Sequence, residues 1–358
     1  MLMSKQPNSR PRIFLGLVNF GTQAGVLASY LRRMGHDALS LTASDPHSRQ
    51  TDRVLPHADG VLKGLIAKLR SYAIRLHCIY RYDIFHFFYG VTLLPFQLDL
   101  PLYRWLGKKV VMEYLGNDIQ GYAASVNQYR WTNIAHMMSP EEGQAYDRRI
   151  QRRYRREQRY VDHSLVCAPC YSEFAPGAEL LPLALDLEQY PYSLPPACNG
   201  VLRIMHAPTH RGFKGTRYIV SAIERLQAEG FQIELDLVEG VSHAALRERY
   251  KECHLFIDQI LCGWYGTASI EALAIGRPVV VFIRERYLAE VDFADQLPFF
   301  NADPDTIYAV LKGIAEAGPE GLLPRSLPGR RFVEAHHDAS KVTQQLLRIY
   351  EKIYPGAT

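Results

Sequence analysis

His206-Ala-Pro-Thr-His-Arg-Gly-Phe-Lys-Gly-Thr216 and Gly263-Trp-Tyr-Gly-Thr-Ala-Ser-Ile-Glu-Ala-Leu-Ala-Ile-Gly-Arg-Pro-Val-Val280 are the two pieces on which the reading of this chain turns. Before the first, Leu202 to Met205 reads as a buried strand. A loop of small and basic residues follows, and a helix starts near Thr216. Its apolar positions Tyr218, Ile219, Ala222, Ile223 and Leu226 recur at helical spacing until Gly230. A helix N-terminus offers unpaired N–H groups and the positive end of a dipole, which suits phosphate. Arg211 and Lys214 add full charges at the same place. A solvated loop with two surface cations is the plainer alternative. In the second piece, Gly266-Thr267 opens a short apolar helix, Gly276 ends it, and Pro278 leads into a strand. Gly266 lets the backbone come close to a ligand. Glu271 lies on the otherwise apolar run Ala268 to Ile275, where a carboxylate needs a partner. Ribose hydroxyls would serve, and so would an arginine or a backbone amide.

On both sides of these pieces, short apolar runs alternate with helical patterns. Ile13 to Val18, Ala38 to Leu41, Asp83 to Phe88, Lys109 to Tyr114, His163 to Cys167 and Glu179 to Leu183 read as strands of a first half. Leu202 to Met205, Ile233 to Val238, Leu255 to Ile257 and Val279 to Phe282 read as strands of a second. The turn-rich stretch from Pro182 to Gly200 separates them. Strands alternating with helices predict parallel α/β sheets. The expected fold is therefore α/β, with two Rossmann-like domains facing across a cleft. The expected division is residues 1–185, a linker at 186–200, a second domain at 201–338 and a C-terminal helix at 339–358. Ligands of open parallel sheets bind beyond the carboxyl ends of the strands, so both halves should point loops into the cleft.

Composition excludes several classes. A chain of 358 residues, 47% hydrophobic and 22% charged, suits two globular cores. A net charge of +4 is mild and argues against a nucleic-acid partner. There is no run of 18 apolar residues, and Ile13 to Val18 is too short for a signal peptide. A cytoplasmic location, with peripheral contact at the inner face of a membrane, is the expectation. The six cysteines are scattered, which favours free thiols over disulfides. Cys167-Ala-Pro-Cys170 lacks a second pair and reads as two small half-buried thiols, with a zinc or redox role as the alternative.

Lys214-Gly215 after a strand and loop, followed by Glu271-Ala-Leu-Ala-Ile-Gly-Arg-Pro-Val-Val280, resembles the retaining family 4 glycosyltransferases of GT-B fold. In the first half, Asn19-Phe-Gly-Thr-Gln-Ala-Gly25, Asp83-Ile-Phe-His86 and Gly116-Asn-Asp118 are similar to that family's glycine loop and acceptor-side strand ends. The resemblance implies a nucleotide-diphosphate-sugar donor, a glycan or lipid-linked acceptor, no resident cofactor and no metal. It implies that Lys214 and Arg211 hold the diphosphate, that Gly266 and Thr267 give backbone contacts, and that Glu271 binds ribose. Gly21 and Thr22 would line the opposite wall, and the C-terminal helix would cross back onto the first domain. Polysaccharide or glycolipid assembly is the implied setting. Two positions depart from the pattern. The family's first motif Glu, which contacts the donor sugar, falls on Gly263, and the histidine before Gly-x-Asp falls on Leu115. Sugar contacts are then expected from Asp258, Gln259, Trp264 or Tyr265, with Asp118, His86 and His206 as further cleft candidates. For Asp118 a turn or N-cap role is the alternative, and for each histidine a structural one. A catalytically silent nucleotide-sugar-binding paralogue is the rival from another class. An epimerase or phosphorylase of similar fold is more distant, and no pyridoxal-binding lysine motif is evident.

Two surfaces complete the picture. Ser139-Pro-Glu-Glu142 is a helix start with a capping box, and the helix after it carries Arg148, Arg149, Arg152, Arg153, Arg155, Arg156 and Arg159. Pairing with neighbouring acids is the expectation, and contact with anionic lipid or a charged glycan the alternative. Along residues 60–82, Leu62, Leu65, Ile66, Leu69, Tyr72 and Ala73 form an apolar stripe, expected to face the core, with a peripheral membrane face as the alternative.

Overall fold

Ile13-Phe-Leu-Gly-Leu17 is buried along its whole length, as a strand covered by helices on both faces must be. It is an inner strand of the first sheet. The computed structural model describes residues 10–45, 50–197 and 199–356. The strands of the first half are β1 (Ile13–Leu17), β2 (Ala38–Thr42), β3 (Arg53–Val54), β4 (Ile84–Phe88), β5 (Lys109–Tyr114), β6 (His163–Val166) and β7 (Glu179–Leu180). Its helices are α1 (Gln23–Arg33), α2 (Val61–Arg81), α3 (Leu100–Trp105), α4 (Tyr122–Gln128) and α5 (Pro140–Glu157). The sheet is all parallel in the order β3-β2-β1-β4-β5-β6-β7. The chain runs outward in both directions from β1 and β4, so a crevice opens at their carboxyl ends.

The second half repeats the plan. Its strands are β8 (Leu202–His206), β9 (Ile233–Leu237), β10 (Leu255–Ile257), β11 (Val279–Val281) and β12 (Phe300–Asn301). Its helices are α6 (Arg211–Lys214), α7 (Thr216–Ala228), α8 (His243–Tyr250), α9 (Thr267–Ile275), α10 (Ile307–Ala317), α11 (Leu323–His336) and α12 (Ala339–Ile353). The order β12-β11-β10-β8-β9 is again all parallel and places the switch between β8 and β10. The two-residue strands β3 and β12 are too short to leave a periodic pattern, which is why they were not expected from sequence.

The turn-rich stretch after Pro182 is firmly seated. Leu183, Leu185 and Tyr190 are buried, and the fully buried Arg277 guanidinium donates to the carbonyls of Ser193 and Leu194 at 3.0 and 3.1 Å. Helix α12 packs on α1, and Gln345 donates to the Leu180 carbonyl at 3.0 Å. The α2 stripe corrects an expectation. Leu62, Leu65, Ile66 and Leu69 face solvent, and the helix instead buries Ala67, Ser71, Cys78 and Ile79. Periodicity shows that a helix has an apolar face, but not that the face is covered.

His86 is also corrected. It lies in the interior of the first sheet, its Nδ1 2.8 Å from the Tyr350 hydroxyl and its Nε2 2.9 Å from Glu113. Tyr350 belongs to α12, so this bond pins the last helix to the first domain. Tyr350→Phe removes one partner and leaves a buried ring nitrogen unsatisfied. We expect a loss of about 1–3 kcal/mol, measurable by urea unfolding.

Candidate functional site

Loops from the carboxyl ends of both sheets enclose a cavity of about 330 Å3. Phe20, Gly21, Tyr89 and Asn117 reach it from the first half, and Lys214, Gln259, Gly266, Thr267 and Glu271 from the second. Of the expected residues it gathers Gly21, Lys214, Gln259, Tyr265, Gly266, Thr267 and Glu271, together with Trp264.

Lys214 ends the short helix α6, and Gly215 follows in the left-handed region at φ +78°. The ammonium is almost fully buried and forms an ion pair with Asp258 at the end of β10. Asp258 also accepts from the Ser269 hydroxyl at 2.6 Å. Burial pushes this carboxyl up, but the Lys214 charge and the hydrogen bonds from Lys214 and Ser269 outweigh it and hold the group below its usual range. Asp258 thus supports Lys214 from beneath and is absent from the cavity wall.

Helix α9 points its N-terminus into the cavity. Gly266 caps it without a side-chain hydrogen bond, and the first N–H groups of a helix have no intrahelical acceptor. The Thr267 hydroxyl is buried with no partner. Gly21, at φ +51°, faces it so closely that a Cβ there would collide with that hydroxyl. One turn along α9, the buried Glu271 accepts from the Tyr190 hydroxyl at 2.9 Å and the Tyr250 hydroxyl at 3.3 Å, and lies 2.9 Å from His243 Nε2. The carboxylate is therefore held in place by three side chains. Sequence reasoning missed all three, because Tyr190 comes from the turn-rich stretch and the other two from α8.

Several expected residues lie elsewhere. Arg211 is exposed and donates to Glu239 at 3.0 and 3.2 Å, outside the cavity wall. Asp118 takes the turn role: its Oδ1 accepts from the amides of Leu115 and Gly116 at 3.1 and 2.8 Å. Burial pushes its carboxyl up to about 7, against the opposing Arg153 charge and those amides. Thr22 is buried beside Gly21, where its hydroxyl donates to the Gly21 carbonyl at 2.5 Å. His206 is structural, 2.8 Å from the Ile257 carbonyl and 2.8 Å from the Thr216 hydroxyl. Tyr265 stays in the cavity wall but turns its hydroxyl to His337 at 3.0 Å, and burial raises that phenol.

The Gly263 departure has a physical counterpart. Gly263 sits at φ +89°, and a Cβ on it would fall inside the Arg284 guanidinium. That guanidinium stacks 3.7 Å from the Tyr129 ring centroid and donates to the Trp131 carbonyl at 2.8 Å. The space that a side chain at position 263 would take is therefore filled by a cation locked to the first domain. Leu115, where the resemblance led to the expectation of a histidine, is buried in the cavity wall. Cys167, Cys170 and Cys262 also line the cavity and are fully rather than half buried. Hydrogen bonds from Cys170 and Tyr171 hold the Cys262 thiol below its usual range, while burial raises Cys167 and Cys170. Among the described residues no group of three or more His, Cys, Asp or Glu could hold a metal ion. Among them, too, no helix is long and apolar enough to cross a membrane.

No protein-family model matches the sequence, and no curated protein matches it. Solved structures do match. Sucrose-phosphate synthase from Thermosynechococcus elongatus is 14% identical, with 97% of this chain and 99% of that chain covered at a TM-score of 0.63. Anabaena HepE in complex with UDP-glucose is 11% identical, with 95% and 99% covered at 0.61. WaaG, a glycosyltransferase involved in lipopolysaccharide biosynthesis, is 12% identical, with 96% and 99% covered at 0.54. The class these likenesses define is a fold: two parallel-sheet, Rossmann-like domains of GT-B type, along nearly the whole chain.

Burial holds both His206 and His337 down to about 4. Unfolding raises each toward its ordinary value near 6.5, so the unfolded chain binds more protons between those limits. Their contribution is whole above about pH 6.5 and is lost as the pH falls toward 4. In urea unfolding across that window, wild type should lose on the order of 3 kcal/mol more than His206→Asn.

Proposed function

We propose that the chain is a retaining glycosyltransferase that moves a sugar from a nucleotide-diphosphate donor to a glycan or lipid-linked acceptor. The observation that carries this is the convergence, in one cleft, of a buried cation, an uncapped helix N-terminus and an anchored carboxylate. Lys214 and the amides at the start of α9 suit a diphosphate, and Glu271 suits the hydroxyls of a ribose one helical turn away. Gly21 closes the opposite wall. Arg211 has no part in this clamp, since its charge is engaged by Glu239.

In the proposed reaction the bond from the anomeric carbon to the diphosphate oxygen breaks, and the electron pair leaves with the diphosphate. The acceptor oxygen bonds to that carbon on the same face, and its proton passes to the departing phosphate oxygen. Lys214 and the α9 amides stabilise the growing negative charge, without a metal. Residues 1–185 would serve the acceptor and 201–338 the donor, with 186–200 linking them and 339–358 returning to the first domain. The solvent-facing apolar side of α2 supports a peripheral contact with the inner face of a membrane, through 60–82 or 139–160. Assembly of a cell-surface polysaccharide fits that placement. UDP is the first nucleotide to try, because Anabaena HepE was solved with UDP-glucose and another similar structure, an alpha-glucosyltransferase, with UDP.

A thermal-shift series with UDP, GDP, ADP, CMP and dTDP should show stabilisation by one of them. Calorimetric affinity for it should fall about tenfold or more in Glu271→Gln. The same loss is expected in Lys214→Ala made together with Asp258→Asn, so that no buried carboxylate is left alone. Unchanged affinity in both variants removes the site.

One observation favours a second reading, a silent nucleotide-sugar-binding paralogue. It is Arg284 standing where the sugar-reading carboxylate is usual. Release of free sugar from the bound donor, followed over hours, separates the two. We expect slow hydrolysis, and none alongside tight nucleotide binding would favour the silent form.

A further inference from the structure

Beside the nucleotide cleft, on the first domain, lies a larger groove of about 640 Å3. One wall is a face of α5 carrying Arg148, Arg149, Arg152, Arg153 and Arg156. Arg75 of α2 stands in the other wall, and residues 90–97 after β4 form the floor. No carboxylate lines it. Arg153 reaches the buried Glu157 at 3.0 Å and the carbonyl of Asp118, so one charge of the six is answered by an acid. Arg156 donates to Gln97 at 2.7 Å, and Arg75 to the Leu93 carbonyl at 2.9 Å with its Nε left unpartnered. Arg149 lies over the Tyr146 ring at 5.7 Å. Arg148 and Arg152 have no partner among the described residues.

Pairing with neighbouring acids, the sequence expectation for this helix, is therefore corrected for its groove face. Arg148, Arg152 and Arg156 succeed one another at four-residue spacing, where like charges repel. An unliganded helix gains nothing from that row, whereas a bound polyanion turns it to advantage. The floor is built for close approach as well. Gly90, at φ +64°, lacks the Cβ that would strike the Arg153 guanidinium, and Phe96 and Gln97 hold left-handed backbone at φ +55° and +58°.

We propose that this groove anchors the acceptor by a phosphate or diphosphate group. The proposal rests on the glycosyltransferase reading for the word acceptor, while anion binding by the groove stands apart from it. Guanidinium groups meet phosphate oxygens two at a time, and a cluster of five or six suits a multiply charged phosphate better than a lone carboxylate. The groove also leads to the cleft. Gly90 in its floor follows Tyr89, which lines the nucleotide cavity and stacks on Phe20 at 6.5 Å. A phosphate among the arginines would leave the attached sugar to reach past Tyr89 toward the donor. In that same 90–97 segment, exposed Phe96 and Val91 provide apolar surface, and α2, which supplies Arg75, also bears the exposed Leu62, Leu65 and Leu69. That juxtaposition favours a lipid phosphate over a soluble phosphorylated glycan.

The test uses the full chain with saturating UDP present, so that the nucleotide cleft is blocked, and measures binding of inorganic tripolyphosphate by calorimetry. Wild type should bind it, and Arg148→Ser/Arg152→Ser should bind at least about tenfold more weakly. Arg155→Ser/Arg331→Ser, which removes the same charge away from the groove, should bind as wild type does. Absent binding in wild type, or equal loss in both variants, overturns the groove. Tripolyphosphate binding with this variant pattern in a protein that fails to bind UDP would keep the groove and remove the donor reading. Sedimentation with phosphatidylcholine vesicles, with and without phosphatidic acid, identifies the source. Retention only with phosphatidic acid, lost in Arg148→Ser/Arg152→Ser, assigns a lipid phosphate. Retention by neither vesicle, with tripolyphosphate binding intact, assigns a soluble phosphorylated acceptor. Equal retention by both vesicles and by the groove variant contradicts a phosphate anchor.

Discussion

A buried ammonium has to find a carboxylate, and the Lys214–Asp258 pair meets that demand at the point where the second sheet opens. The pair fixes three elements at once. Lys214 comes from the short helix α6 after β8, Asp258 from the end of β10, and Ser269 on α9 satisfies the second carboxylate oxygen. Gly215 turns the chain beneath them where a Cβ would strike Ile260. With those three elements tied together, the N-terminus of α9 cannot drift from the cation. The cleft then presents a charge and a helix end in fixed relation, as an anionic ligand requires.

The opposite side of the cleft depends on contacts between the two domains. Gly21 meets Thr267 across it, Arg284 reaches back to Trp131 and Tyr129, and α12 delivers Tyr350 to His86. Tyr265 and His337 bond beneath the cavity, and His337 passes the connection on to the Leu183 carbonyl at 2.8 Å. These contacts make the arrangement of the halves specific. They also explain how Gly263 is accommodated, because a side chain there would displace the arginine that helps join the domains.

What was legible in the sequence was local. Strand and helix alternation, a cation after a strand, a glycine opening an apolar helix and a charged residue within that helix all report on nearby backbone. They located the two parallel sheets, Lys214, Gly266, Thr267 and Glu271. What was not legible depends on distant partners. Arg211 is claimed by Glu239, and His86 by Glu113 and Tyr350, and no spacing rule joins those positions. Asp118 closes its own turn, the alternative weighed for it. The α2 stripe and the α5 arginines share a different difficulty: periodicity defines a face, while only the tertiary arrangement decides whether that face meets core, solvent or a groove.

A crystal structure of the full chain with UDP would show whether the cleft is a nucleotide-diphosphate clamp. We expect the diphosphate against Lys214 and the Gly266–Thr267 amides, facing Gly21, with the ribose hydroxyls on Glu271. A nucleotide seated away from those residues, or a cleft that stays empty at saturating UDP, GDP, ADP and dTDP in turn, would contradict it.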